Sequence, residues 1–157
     1  MRAVLSTGSN MEDSLAHLKS VEDDFAGELA AASRVYRTAP WGGVEQADFY
    51  NQILIVDVDE SPHELLARCQ RLERQAHRVR EVRWGPRTLD VDIVALFDGT
   101  TGADIILDTP DLTVPHPRAH ERAFVLLPWL EVDGNARLGE QGVDKLVAEL
   151  DDEVIPL

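Results

Sequence analysis

The stretch "RWGPRTLDVDIVALF", residues 83–97, sets two carboxylates inside an apolar run. Leu89 to Phe97 is rich in aliphatic residues and is preceded by Gly85-Pro86, which predicts a strand entered from a loop. A period of two puts Asp90, Asp92, Val94 and Leu96 on one face and Leu89, Val91, Ile93 and Ala95 on the other. The two acids are then expected to point the same way, about 6.5 Å apart along the backbone. Ionised carboxylates so placed raise each other's pKa or require a compensating cation. Three readings stay open on these residues: salt bridges to neighbouring arginines, one divalent metal, or two Mg²⁺ ions on a polyphosphate. Hard oxygen ligands with no Cys/His set nearby favour Mg²⁺ over zinc.

The surroundings of this strand are basic in an acidic chain. Formal net charge is −14 over 157 residues, which argues against a nucleic-acid partner. Between Arg68 and Arg87, however, seven arginines face only Glu73 and Glu81, a local net charge of +5. Such a cluster suits a small, highly charged anion, because guanidinium groups contact phosphates in pairs of hydrogen bonds. The alternative is an arginine-rich helix face paired with carboxylates elsewhere. No GxxxxGK[ST] motif is present, so a nucleotide would be held by another route.

The rest of the chain supplies one domain, residues 1–157, with no apolar run near the roughly 20 residues of a membrane helix. The N-terminus has no secretory signal, and the lone Cys69 fits a buried position in a reducing compartment, so a soluble cytoplasmic protein is expected. Arg2–Thr7 reads as a strand, followed by a Gly8-Ser9-Asn10 turn. The helix after it carries Leu15, Leu18, Val21 and Phe25 on one face, with Asn10 as its N-cap. Leu29–Tyr36 and Asn51–Val58 are further strand candidates, joined by a long loop from Thr38 to Asp48. Ser61-Pro62-His63-Glu64 is a capping-box start for a helix to about His77, buried through Leu65, Leu66, Cys69, Leu72 and Ala76. A short edge strand at Ile105–Leu107, a helix broken at Pro128 and a last helix at Val143–Leu150 complete the reading. These elements favour an α+β fold, a sandwich in a chain too short for a full doubly wound sheet.

Four ordered blocks resemble one family. Arg83-Trp-Gly-Pro-Arg-Thr-Leu-Asp-Val-Asp92 is similar to the signature of the 6-hydroxymethyl-7,8-dihydropterin pyrophosphokinases of folate biosynthesis. Gly8-Ser9-Asn10, then Tyr36-Arg-Thr38-Ala-Pro40 with Gln46, Phe49 and Asn51, and finally Pro115-His116-Pro-Arg-Ala-His-Glu-Arg122-Ala-Phe124, agree in order and spacing over roughly residues 2 to 130. The resemblance implies a single-domain, ferredoxin-like αβα sandwich with a mainly antiparallel sheet. It further implies transfer of pyrophosphate from ATP to the pterin hydroxymethyl group, releasing AMP. Asp90 and Asp92 would hold two Mg²⁺ ions, with Arg78 and Arg87 in catalytic roles. Thr38, Pro40, Trp41, Phe49, Asn51, Trp84 and Phe124 match pterin-site positions. Gln70, Glu73, Arg78, Arg80, Arg87, Ile93, Thr113, His116 and Arg122 match ATP-site positions, and Trp84 matches a residue that closes over the substrates from a loop at 78–85. The expected partners are ATP and the hydroxymethyl-dihydropterin alone, for a monomer with no nucleic acid or membrane. His77, Glu81, Asp111 and Pro117 depart from residues found in other members. The runner-up is a catalytically silent module binding anions or a protein through the same surface, against which the intact set of Asp90, Asp92, Arg87 and Asn51 speaks.

Overall fold

In the computed structural model, which describes residues 1–38, 48–79 and 88–157, strand β1 (Arg2–Ser9) occupies the middle of the main sheet. It pairs antiparallel with β4 (Phe49–Asp57) on one side and β5 (Leu89–Phe97) on the other. Helix α1 (Ser14–Asp24) leads from β1 to β2 (Leu29–Ala32) and β3 (Tyr36–Thr38), both paired with β4, and α2 (Pro62–Val79) crosses from β4 to β5. The order of this βαββαβ core is the ferredoxin-like arrangement that the resemblance implies. Two short strands extend it: β6 (Asp104–Ile105) beside β5, and β11 (Ile155–Pro156) beside β3. A hairpin of β7 (Leu107–Asp108) and β8 (Thr113–Val114) precedes α3 (Ala123–Val132). A second hairpin, β9 (Arg137–Leu138) and β10 (Gln141–Gly142), leads into α4 (Val143–Ala148).

Both faces of the sheet are apolar, so both are covered. On one side Leu5, Leu54, Val56, Val91 and Ile93 pack against α1 through Leu18 and Val21 and against α2 through Leu65, Cys69 and Leu72. On the other, Val4, Ile53, Ile55 and Ala95 meet Val125, Leu126 and Trp129 of α3 and Val143 and Leu146 of α4. The alternation expected along β4 holds throughout. The capping box does too: Ser61 Oγ accepts the Glu64 N–H at 3.2 Å, and Glu64 Oε1 accepts the Ser61 N–H at 2.9 Å. Burial pushes the Cys69 thiol up to about 12, so it packs as a hydrophobe.

Several expectations need correction. The faces of β5 hold as far as Val94, which packs on the α3 side as expected. Leu5 pairs with Ile93 but Val4 pairs with Ala95, so Val94 is an extra residue, a β-bulge. Beyond it the parity flips: Ala95 joins the α3 side and Leu96 the α2 side. Leu15 is 52% exposed, because the chain turns through Asp13 in the left-handed region (φ 57°) and starts α1 at Ser14, which takes the buried place. Asn10 does not cap α1; its Oδ1 accepts the Thr88 N–H at 2.8 Å. The strand expected over 29–36 breaks at Ser33, where the hydroxyl accepts the Ile53 N–H at 2.9 Å in place of a ladder carbonyl. The edge segment at 105–107 divides between β6 and β7. Helix α3 continues through Pro128 to Val132, since the packing of Leu126 and Trp129 in the core outweighs one missing N–H.

Part of the arginine cluster is structural. Arg68, with a side chain 14% exposed, pairs with Asp24, Glu28 and Glu60 at 2.7–2.9 Å, and its guanidinium lies 3.9 Å from the Phe25 ring centroid. Arg71 shares Asp24 at 3.4 Å. Replacing Arg68 leaves three clustered acids without their shared cation. Arg68→Ala is therefore expected to cost about 2 kcal/mol, the scale of losing charged hydrogen bonds, lowering the melting temperature by roughly 4–8 °C in calorimetry.

Candidate active site

One row of residues crosses five strands: Pro156 opposite Tyr36, Tyr36 opposite Asn51, Asn51 opposite Gly8, and Gly8 opposite Asp90. In the neighbouring row Ser6 lies between Ile53 and Asp92. Directly paired residues share a face of an antiparallel sheet, so Ser6, Gly8, Asn51, Asp90 and Asp92 all face the α3 side. Helix α3 covers Ile53, Ile55, Val4 and Ala95 and leaves this end of the sheet as the floor of a cavity of about 910 Å³. Thr38 and Phe49 line it from β3 and β4, and Arg118, Glu121, Arg122 and Phe124 from the approach to α3 and its first turn. Asp152, Glu153 and Val154 line it from the C-terminal segment.

The floor is shaped by a glycine. A Cβ on Gly8 would sit 2.7 Å from Asn51 Oδ1, so any other residue here would displace the Asn51 amide. Asn51 is 4% exposed, and its Nδ2 has no hydrogen-bond partner among the described residues. A buried donor left unpaired is costly, on the order of 1–3 kcal/mol, and this one borders a cavity that can bring it an acceptor.

Asp90 accepts a hydrogen bond from Thr88 Oγ1 at 3.2 Å and makes no ion pair with any described residue. Its tip meets solvent, yet the concave floor surrounds it with protein. That burial, with Asp92 adding to it, holds the Asp90 carboxyl above the usual carboxylate range. Asp92 has a long contact with Arg122 Nη1, 3.9 Å, and the same guanidinium stands 5.7 Å from the Phe124 ring centroid. Behind β5, burial raises the Glu73 carboxyl as well; the Val91 N–H opposes this and Asp90 and Asp92 add to it.

The start of β5 is held by side chains. Asn10 Oδ1 accepts the Thr88 N–H at 2.8 Å, His77 Nε2 the Leu89 N–H at 3.3 Å, and Glu73 Oε2 the Val91 N–H at 2.9 Å. Asn10, which follows β1, also donates its own N–H to Thr88 O and so extends the pairing with β1; strand β6 reaches only Leu96 and Phe97, so His77 and Glu73 stand where a neighbouring strand is missing on the other edge.

Thr38, Phe49, Asn51, Asp90, Asp92, Arg122 and Phe124, all expected from the sequence, thus line one cavity. Of the other expected nucleotide positions, those among the described residues, Gln70, Glu73, Ile93, Thr113 and His116, lie outside its lining. Gln70 is exposed on α2, and Thr113 is exposed on β8. His116 donates its backbone N–H to Val94 O at 2.8 Å and accepts the Arg118 N–H on Nδ1 at 3.2 Å. Burial and the nearby Arg122 keep its imidazole below the usual histidine pKa. The Ile93 side chain is in the core, so a nucleotide could meet only its backbone. Pro40, Trp41, Arg80, Trp84 and Arg87 lie outside the described residues, as does the Arg78 side chain. Sequence reasoning missed Ser6, Arg118, Glu121 and the C-terminal Asp152–Val154. The run Val154-Ile155-Pro156, apolar with a proline tolerated at a sheet edge, is the one signal that could have flagged the last of these.

Residues 4–134 match the family described as 7,8-dihydro-6-hydroxymethylpterin-pyrophosphokinase. Among curated proteins, the 2-amino-4-hydroxy-6-hydroxymethyldihydropteridine pyrophosphokinase of Mycobacterium bovis is 48% identical over 96% of this chain and 84% of its own. The Mycobacterium leprae protein of the same name is 49% identical over 96% and 83%, and that of Bacillus subtilis 38% over 83% and 77%. Among solved structures, Plasmodium falciparum HPPK-DHPS superposes with a TM-score of 0.65 at 12% identity, over 94% of this chain. This chain spans 45% of that longer one, and at such identity the likeness concerns the fold alone. By the match over residues 4–134 and by these relatives, the chain belongs to the 7,8-dihydro-6-hydroxymethylpterin-pyrophosphokinase family.

Proposed function

We propose that this protein transfers pyrophosphate from ATP to the hydroxymethyl oxygen of 6-hydroxymethyl-7,8-dihydropterin, releasing AMP, as a step of folate biosynthesis. The observation that carries the reading is the shared floor: two carboxylates on β5 and the Asn51 amide, whose Nδ2 has no partner among the described residues, open into one cavity that Phe49 and Phe124 also line. A flat heterocycle with hydrogen-bonding edges suits such a place, because aromatic faces hold its plane and an amide reads its edge. Asn51 Nδ2 donates to a ring acceptor, and Thr38 borders the same edge of the sheet.

Asp90 and Asp92 suit a hard divalent cation. Both are oxygen donors on one face, Asp90 has no basic partner among the described residues, and Asp92 has only the long contact with Arg122 there. Among the described residues no third His, Cys, Asp or Glu joins them, so water or substrate oxygens would complete the coordination. Two Mg²⁺ ions held by Asp90 and Asp92 would neutralise the triphosphate and help align it with the hydroxyl. The chain's own residues do the positioning. Asn10, His77 and Glu73 keep the β5 backbone in place, and Arg122 offers a cation on the far side of Asp92. In this reading Arg78, Arg80 and Arg87 hold phosphate oxygens, and Gln70, Glu73, Ile93, Thr113 and His116 form or support the nucleotide side. Pro40, Trp41 and Trp84 complete the pterin side. Reaction in a pocket closed from water limits competing hydrolysis. The protein works as a monomer in the cytoplasm, residues 1–157 acting as one unit on small molecules. Its −14 charge is unsuited to nucleic acid, and no helix of the described residues is long and apolar enough to cross a membrane.

Incubation with ATP, Mg²⁺ and the reduced hydroxymethylpterin is expected to yield AMP and the pterin pyrophosphate, resolved by chromatography; ADP as the nucleotide product would refute pyrophosphoryl transfer. Asp92→Asn is expected to lower kcat at least about 100-fold while the circular dichroism spectrum stays unchanged, the scale of losing one electrostatic stabiliser. A second outcome concerns stability. Because the folded-state pKa of Asp90 is raised, its ionised form destabilises the metal-free protein above that pKa, and the penalty fades as pH falls through it. Metal-free Asp90→Asn should therefore melt at a higher temperature than the parent at pH 7, with the two converging at acid pH. Mg²⁺ should raise the melting temperature of the parent more than that of the variant.

A further inference from the structure

The C-terminal segment ends as a strand rather than a free tail. Ile155 pairs with Arg37 and Pro156 with Tyr36, and the Leu157 N–H donates to Val35 O at 3.0 Å. Continued by one position, this register sets Val154 opposite Thr38, which itself lies opposite Phe49. Val154, Thr38 and Phe49 therefore form a row on the α3 side of the sheet, next to the row that holds Asn51. All three line the cavity. Val154 is half-buried, whereas Glu153 and Ile155 beside it are exposed, so of the three C-terminal residues that line the cavity, Asp152, Glu153 and Val154, it is the apolar one and the least exposed.

We infer that Val154 is a specificity-determining residue of the acceptor site: β11 latches onto β3 to hold an aliphatic wall beside Thr38 and Phe49, against the plane or rim of the pterin. The inference rests on the pyrophosphokinase reading and extends it to a segment outside the residues 4–134 that match the family. The buried Asn51 amide in the adjoining row is what brings a ring with hydrogen-bonding edges to this wall. The latch is short, two paired residues and one further backbone bond at a sheet edge, so the wall tightens when the ring packs against it.

The test compares the full-length parent with Val154→Ala and with Ile155→Thr, a change on the opposite face of the same strand. Binding of the hydroxymethylpterin and of a nonhydrolysable ATP analogue is measured by calorimetry, and KM for each substrate by AMP release. Val154→Ala is expected to raise Kd and KM for the pterin about fivefold, the scale of losing a partly buried aliphatic contact, with the nucleotide constants within about twofold. Ile155→Thr is expected to change neither. Pterin constants unchanged in Val154→Ala, or raised equally for both substrates, would overturn the inference. Both variants lie near an exposed terminus, and thermal melting checks that each is folded. A parent protein that binds no pterin or releases no AMP would instead overturn the functional reading itself. Amide hydrogen exchange supplies an independent readout: protection of residues 155–157 should rise with pterin alone, and exchange indifferent to pterin would also count against the wall.

Discussion

Pairing of one central strand to two neighbours is the constraint from which the site follows. Because β1 is antiparallel to both β4 and β5, residues from three distant parts of the chain fall into rows, and Gly8 stands between Asn51 and Asp90. A shift of either register by one residue would send Asn51 or the carboxylates to the opposite face, into the layer packed on α1 and α2. The hydrophobic alternation prevents that shift. Leu54 and Val56 belong to the α2 side and Ile53 and Ile55 to the α3 side, so the core that stabilises the sheet also aims the polar end of it.

The bulge at Val94 divides β5 between two tasks. Before it, alternation places Asp90 and Asp92 in the cavity with Leu89 and Val91 in the core. After it, Ala95 turns to meet α3 and Leu96 returns to the α2 layer. Val94 O, left outside the ladder, accepts the His116 N–H and so ties the segment that leads to Arg122 and Phe124 to this strand. One extra residue thus couples the carboxylate end of the sheet to the approach of α3, in keeping with the tendency of bulges to occur beside functional sites.

The same end of the molecule carries its electrostatic and hydrogen-bonding tension. Asp90 is held above its usual pKa by burial and by Asp92, Glu73 is raised behind it, and the Asn51 donor is unpaired among the described residues. At Arg68, by contrast, charge is resolved internally by three acids. The contrast separates arginines and acids that serve the fold from those that face a ligand, a distinction that composition does not make. Anchoring of β5 shows how the tension is sustained: Asn10 continues the pairing on the β1 side, while backbone donors at the incomplete opposite edge are satisfied by His77 and Glu73.

Much of this was legible locally. Alternation placed Asp90 with Asp92 and Asn51 with Ile53, the capping box marked the start of α2, and the ordered motifs identified the family. Those features depend on near neighbours in the chain, through strand and helix periods and the satisfaction of helix-end donors. Other features depended on what lies across the sheet. The bulge at Val94, the exposure of Leu15, the role of Asn10 at Thr88 and the passage of α3 through Pro128 arise from packing and pairing between remote segments, which override local preference. The division of the arginines between Arg68's structural cluster and the cavity, and the return of Val154 to the wall beside Thr38, belong to the same class. Sequence by itself determined which residues have the right chemistry and period; only the tertiary structure decided which meet, because strand registers and helix packing are settled by contacts between parts of the chain far apart.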